Sequence, residues 1–179
     1  MLVAALAAGI FEETGRLFGF KVHLKGKRQP STAIAYGIGH GGAEVILLLG
    51  LSYFNLFLTV LGYDFGTADI NAYMQLTASA ITIPTAMIVM IERISAMMIH
   101  IGLSMVVFVA ANNKKKLWLY PVAIFLHAVA DSAAALYQYG IVESLFAVET
   151  IAFFMGLLCM AVGMLVLSIQ KNEEPPVQE

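Results

Sequence analysis

The sequence predicts an all-α protein: a polytopic transmembrane helical bundle of about five crossings plus one re-entrant or interfacial segment. Three observations carry that expectation. Of the 179 residues, 60% are hydrophobic and only 12% are charged, whereas soluble domains carry about 25% charged side chains. The mean hydropathy is +0.82. Apolar runs long enough to cross about 30 Å of hydrocarbon alternate with short polar stretches. A water-soluble globule, a disordered chain and a disulfide scaffold are thereby excluded, since Cys159 has no second cysteine to pair with. The net charge of −2 leaves nothing basic to neutralise phosphates, so no nucleic-acid partner is expected. The expected surroundings are the lipid bilayer, and the expected location is the cell membrane.

The apolar runs cover residues 1–20, about 32–53, about 76–111, 117–139 and 143–169, separated by polar stretches at 21–30, 62–72 and 114–116. The positive-inside rule orients them. Lys21, Lys25, Lys27 and Arg28 place the first loop in the cytoplasm, and Lys114–Lys116 and Lys171 do the same for a later loop and the tail. The 53–72 connection has no Lys or Arg and belongs outside. That pattern closes if 76–111 crosses once, its first part being a re-entrant or interfacial segment interrupted by Pro84. Residues 1–170 then form a single transmembrane domain with an external N-terminus, and 171–179 a short polar cytoplasmic tail. Residues 1–20 have no charged n-region or cleavage site of a signal peptide. Glu12 and Glu13 lie too deep for a first span, which suggests a start inside a longer membrane domain.

A charged group at the centre of a span costs about 2.5–3.5 kcal/mol on insertion scales. This chain nevertheless places Glu12, Glu13, Arg16, His40, Glu44, Glu92, Arg93, His100, His127 and Asp131 in its spans. Such groups must face a protein interior or a wet cavity. Glu12 and Arg16 share a helix face at i,i+4, as do His40 and Glu44, and His127 and Asp131. Counted from the cytoplasmic basic residues, Glu12, His40, His100 and His127 all lie about 13–21 Å deep at 1.5 Å per residue. A convergent Glu/His/His/Asp site follows. Imidazole with carboxylate suits a zinc-like ion with an open position, or a general base that activates water. Neither a His-Glu-x-x-His nor a Gly-x-Ser-x-Gly motif occurs. Glu143 and Glu149, near the external end of the last span, are weaker candidates. The Glu92–Arg93 pair reads as an interhelical clamp, and the glycines of Gly37–Gly42 as a close-packing surface.

These motifs resemble a known group. FEETGR (Phe11–Arg16) looks like the Glu-Glu-x-x-x-Arg motif of the CPBP intramembrane proteases, which include type II CAAX prenyl endopeptidases and bacteriocin-processing enzymes. HAVAD (His127–Asp131) looks like that group's last motif, His-x-x-x-Asn/Asp. GIGHGGAE (Gly37–Glu44) and ERISAMMIHIGLS (Glu92–Ser104) resemble more closely the YhfC-like family of intramembrane metalloproteases. The resemblance spans about residues 8–135. It implies that Glu12 is the base activating water, with Glu13 and Arg16 as partners and His100 and His127 as the site histidines. Asp131 stands where many CPBP members have Asn. Ala96 stands where that pattern has Phe, and His40 and Glu44 have no CPBP counterpart.

The function so implied is an endopeptidase that cuts near the cytoplasmic side of the membrane, acting on a membrane-embedded or lipid-modified peptide. Zinc is the expected metal, on His100, His127 and Asp131, with His40, Glu44, Glu92 and Arg93 in support. Alternatively the histidines donate to the oxyanion. Two readings from other classes stay open: a proton- or metal-coupled transporter, and a non-catalytic scaffold or immunity protein.

Overall fold

The structure, a computed structural model, describes residues 2–173. Every regular element among them is helical. Helix α1 (Leu2–Phe18) runs on through a π-helical turn, Gly19–His23, about 33 Å in all at 1.5 Å per residue. α2 (Pro30–Val45) continues through a second π-helical turn, Ile46–Gly50, into α3 (Leu51–Val60). α4 spans Ala68–Ser79, α5 Ile83–Asn112, α6 Leu119–Gln138 and α7 Leu145–Glu173. Four rods are long and apolar enough to cross a membrane: Pro30–Val60, Ile83–Asn112, Leu119–Gln138 and Leu145–Glu173. α1, which carries Glu12, Glu13 and Arg16, lies along α6 as a fifth rod. The chain is thus an all-α membrane bundle.

Three details depart from the sequence reading. The second rod does not stop near residue 53 but continues to Val60. Part of the expected polar connection at 62–72 is the start of α4, whose N-cap is Thr67. Pro84 does not interrupt a segment; it sits in the first turn of α5, where a missing N–H leaves no helical bond unmade. The break falls just before, and Thr82 closes it. The Thr82 hydroxyl accepts from the Thr85 N–H, and the Thr85 hydroxyl accepts from the Thr82 N–H, a reciprocal cap. The single crossing expected for 76–111 is therefore α5 alone. Of the expected tail, Lys171–Glu173 complete α7, and 174–179 lie outside the described residues.

α5 is the spine. Its stretch from Ile99 to Ala110 is almost entirely buried, packed by α7 on one side and by α2, α1 and α6 on the others. Glycines allow these approaches. A Cβ on Gly102 would lie 2.3 Å from the carbonyl carbon of Cys159 in α7, and one on Gly163 2.5 Å from the Gly102 carbonyl oxygen. α2 reaches α5 in the same manner, since a Cβ on Gly37 would lie 2.6 Å from Ile101 Cα. Small residues let membrane helices gain close van der Waals contact where lipid offers no hydrophobic drive for association. Gly39 and Gly42, by contrast, have nothing within 4 Å. Half of the glycine run is a packing surface and half is not.

Gly102→Val should destabilise the bundle by about 3 kcal/mol or more, because backbone rather than a flexible side chain blocks the new atoms. Gly39→Ala should stay within about 0.5 kcal/mol of the parent. Thermal unfolding in detergent, followed by size-exclusion of the survivors, separates the two outcomes.

Candidate active site

Adjacent residues on a helix point about 100° apart, so Glu12 and Glu13 face different neighbours. Glu13 faces inward and is fully buried, as is Arg16. The two are paired at i,i+3, with Arg16 Nε 3.1 Å from Glu13 Oε2. The face shared by Glu12 and Arg16 in the sequence reading is therefore corrected: it is Glu13 that neutralises the arginine. Arg16 Nη1 donates to the His100 carbonyl oxygen and to Ser104 Oγ, both at 2.6 Å. Glu13 Oε1 lies 2.7 Å from His127 Nδ1. One ion pair on α1 thus grips α5 and α6 together.

Those contacts set the protons on both buried rings. A carboxylate only accepts, so His127 Nδ1 donates to Glu13, and in the neutral ring Nε2 carries the lone pair. Arginine only donates, and Arg16 Nη2 sits 3.2 Å from His100 Nδ1. His100 Nδ1 is therefore the lone-pair nitrogen, and Nε2 donates to Glu44 Oε2 at 2.5 Å. Glu44 is held in turn by Arg93, whose Nη1 lies 3.6 Å from Glu44 Oε1 and whose Nη2 contacts Glu92 Oε1. The Glu92–Arg93 pair expected as an interhelical clamp lies within α5, and it is Arg93 that reaches across to Glu44 on α2.

Three imidazoles converge on one atom. Glu12 Oε2 lies 3.2 Å from His40 Nε2, 3.6 Å from His127 Nε2 and 3.9 Å from His100 Nδ1. The His40 and His100 rings stack with centroids 4.8 Å apart. They can do so because α2 meets α5 at Gly41, whose Cβ would lie 3.1 Å from His100 Cδ2. Asp131 Oδ2 reaches His127 Nε2 at 3.6 Å from a more exposed position, 40% accessible. A cavity of about 240 Å³ opens beside this centre, walled by Glu12, Glu44, Glu92, Arg93, His100, His127, Asp131 and Glu149 among others.

The donor set fits a divalent ion that takes nitrogen and oxygen ligands. Glu12, His40 and His100 each offer a ligand atom, all within 4.8 Å of one another. This differs from the expected set of His100, His127 and Asp131. The packing of α2 on α5 brings His40 inward from a supporting place, while Asp131 stays on the chamber wall. The outer nitrogens of His100 and His127 are each held by a second carboxylate, the arrangement that orients metal-binding histidines. All ten candidate residues gather around this centre. Two further residues take part, Ser104, which carries no motif signal, and Glu149, one of the weaker candidates. Ser104, an acceptor for Arg16, is an unremarked small polar residue four positions after His100. Glu149 lines the chamber with its Oε2 buried, six residues after the exposed Glu143.

The fold and this centre define a class: polytopic membrane proteins whose carboxylates and imidazoles meet within the bilayer. A profile of the family described as YhfC intramembrane metalloprotease matches residues 1–152, and the chain belongs to that family. It is 37% identical over 160 residues to the "Uncharacterized membrane protein YhfC" of Bacillus subtilis (strain 168), across 84% of this chain and 62% of that protein. The chain therefore spans less than two thirds of that relative's length. No solved structure matches it significantly.

Removing one partner of a buried ion pair costs about 3–5 kcal/mol because the other charge is stranded. Arg16→Met should lose that much stability in detergent, read as a fall in thermal midpoint. The double variant Arg16→Met with Glu13→Gln should recover part of the loss.

Proposed function

We propose that this chain is the core of an intramembrane endopeptidase that hydrolyses a peptide bond within a membrane-embedded or lipid-modified peptide, toward the cytoplasmic side. The observation that carries this reading is the convergence of three imidazole nitrogens, from α2, α5 and α6, on a single oxygen of Glu12. His40 and His100, in one compact group with Glu12, and His127, whose Nε2 lies 3.6 Å from the same Glu12 oxygen, would hold a zinc ion, Arg16 giving up its contact to His100 Nδ1. Glu12 would serve as the base. Zinc, when bound, polarises a carbonyl and acidifies water.

Glu12 accepts a proton from a water of the chamber as the water oxygen bonds to the scissile carbonyl carbon. It returns that proton to the amide nitrogen as the C–N bond breaks, leaving a carboxylate and an amine. Glu13 and Glu44 keep the ring protons of His127 and His100 on the outer nitrogens, so the inner nitrogen of each ring faces the reacting centre. Arg16 fixes α1 against α5 and thereby the height of Glu12 above the rings. The charged chamber beside the centre holds the water that the reaction consumes. A helical substrate must unwind to expose its carbonyl, since helical backbone is already hydrogen-bonded.

Loss of a general base costs about 10²–10⁴ in rate. With the full-length protein in vesicles and a library of membrane-anchored test peptides read by mass spectrometry, Glu12→Gln should lose at least a hundredfold in cleavage while retaining bound metal. Full cleavage by Glu12→Gln would overturn the assignment. Elemental analysis should find about one zinc per chain in the parent, and much less in His40→Ala and His127→Ala. Equal metal content in all three would remove these histidines from the ligand set.

A further inference from the structure

The carboxylates of the site stand on a partition between two spaces of opposite character. On one side lies the chamber described above, walled by Glu92, Arg93, Asp131 and Glu149 as well as Glu12 and Glu44. On the other lies a cleft of about 400 Å³ between α1 and α2, walled by Glu12, His40, Ala43, Glu44, Leu47 and Leu48. Glu12 and Glu44 belong to both.

The cleft arises because α1 and α2 have different main partners, α6 for the former and α5 for the latter. The two chain segments meet at Tyr36, which packs on Gly19 and Phe20, and at the His40–Glu12 contact. Past Glu44 the second rod leaves the bundle. Ile46, Leu47 and Leu48 are 68%, 62% and 57% exposed, and Phe11, next to Glu12, is 78% exposed. The π-helical turn Ile46–Gly50 begins two residues after Glu44, and such turns recur at functional sites. Ala43, Leu47 and Leu48 line this opening together with the site residues Glu12, His40 and Glu44.

We infer that the α1–α2 cleft is the doorway through which an extended apolar stretch of a membrane-spanning peptide reaches Glu12. This rests on the endopeptidase reading above. An apolar strand entering through the chamber instead would desolvate four charged side chains without replacing their water, at a cost the cleft does not impose. A second apolar groove, about 270 Å³ between α5 and α7, is lined by Ile88, Ile91, Phe146 and Phe153. It joins the chamber at Glu149, not at Glu12. The apolar cleft thus receives the peptide, and the charged chamber supplies the water.

The test is photo-crosslinking in phosphatidylcholine vesicles with the full-length protein. The probe is a synthetic leucine-rich single-span peptide with a glycine–serine centre. p-Benzoylphenylalanine is placed at position 47, 48 or 146, all exposed in the parent, and each preparation is checked for monodispersity. The expected result is at least fivefold more peptide adduct at 47 and 48 than at 146, reduced by Ala43→Trp, which fills the cleft floor. Equal yields at the three positions, more adduct at 146, or none at 47 and 48 overturns the doorway. Adduct formation needs no bond cleavage. A chain that captures the peptide at 48 yet never cuts it therefore keeps the doorway and overturns only the hydrolytic reading.

Discussion

A charge pair sealed from both water and lipid decides how the central helices lie. Glu13 and Arg16 are fully buried, and between them they reach a ring on α6, a ring nitrogen and a carbonyl on α5, and the Ser104 hydroxyl. In a low-dielectric interior such a pair is tolerated only when its remaining donors and acceptors are satisfied. Satisfying them requires α1 to sit at one height and one rotation against its neighbours. Glu12, the next residue along, is then carried to the meeting point of three histidines. The position of Glu12 is thus set by the ion pair beside it.

The same logic extends outward through a second carboxylate. Glu44 holds the outer nitrogen of His100 and is itself gripped by Arg93. Each buried histidine therefore has one nitrogen committed to a carboxylate and one turned to the centre. Glu13 and Glu44 thus decide which nitrogen of each ring faces Glu12. The glycines serve the same end mechanically: without the approach at Gly37 and Gly41, His40 would not lie over His100.

Much of the centre is legible in the sequence because membrane depth is a one-dimensional quantity. Counting from basic anchors puts Glu12, His40, His100 and His127 in one layer, and the structure brings them together there. Rotation about the helix axis is not legible in the same way. Both i,i+3 and i,i+4 partners are within reach on a helix, and only the contacts to α5 and α6 choose Glu13 over Glu12 for Arg16. Which histidines close most tightly also depends on lateral packing, so His40 and not Asp131 joins the compact ligand group. Glu149 reads only as a weaker candidate because its place on the chamber wall depends on how α7 packs against the other helices. The extension of the second rod to Val60 and the separate α4 are hidden as well, since an apolar run does not mark where a helix leaves the bundle.

The π-helical turn at Ile46–Gly50 has a consequence for how this architecture can vary. Such a turn holds one residue more than the surrounding α-helix needs, so the segments on its two sides are out of angular step by about 100°. Everything before it is locked by glycine contacts and the histidine stack; everything after it, α3 with α4, forms an arm that packs chiefly on itself. Because the wider turn absorbs the excess residue, losing one residue at this joint restores plain α-helix with neither the arm nor the buried centre moved from its bearing. The joint thus uncouples what the protein shows to the surrounding lipid from the arrangement it must preserve inside.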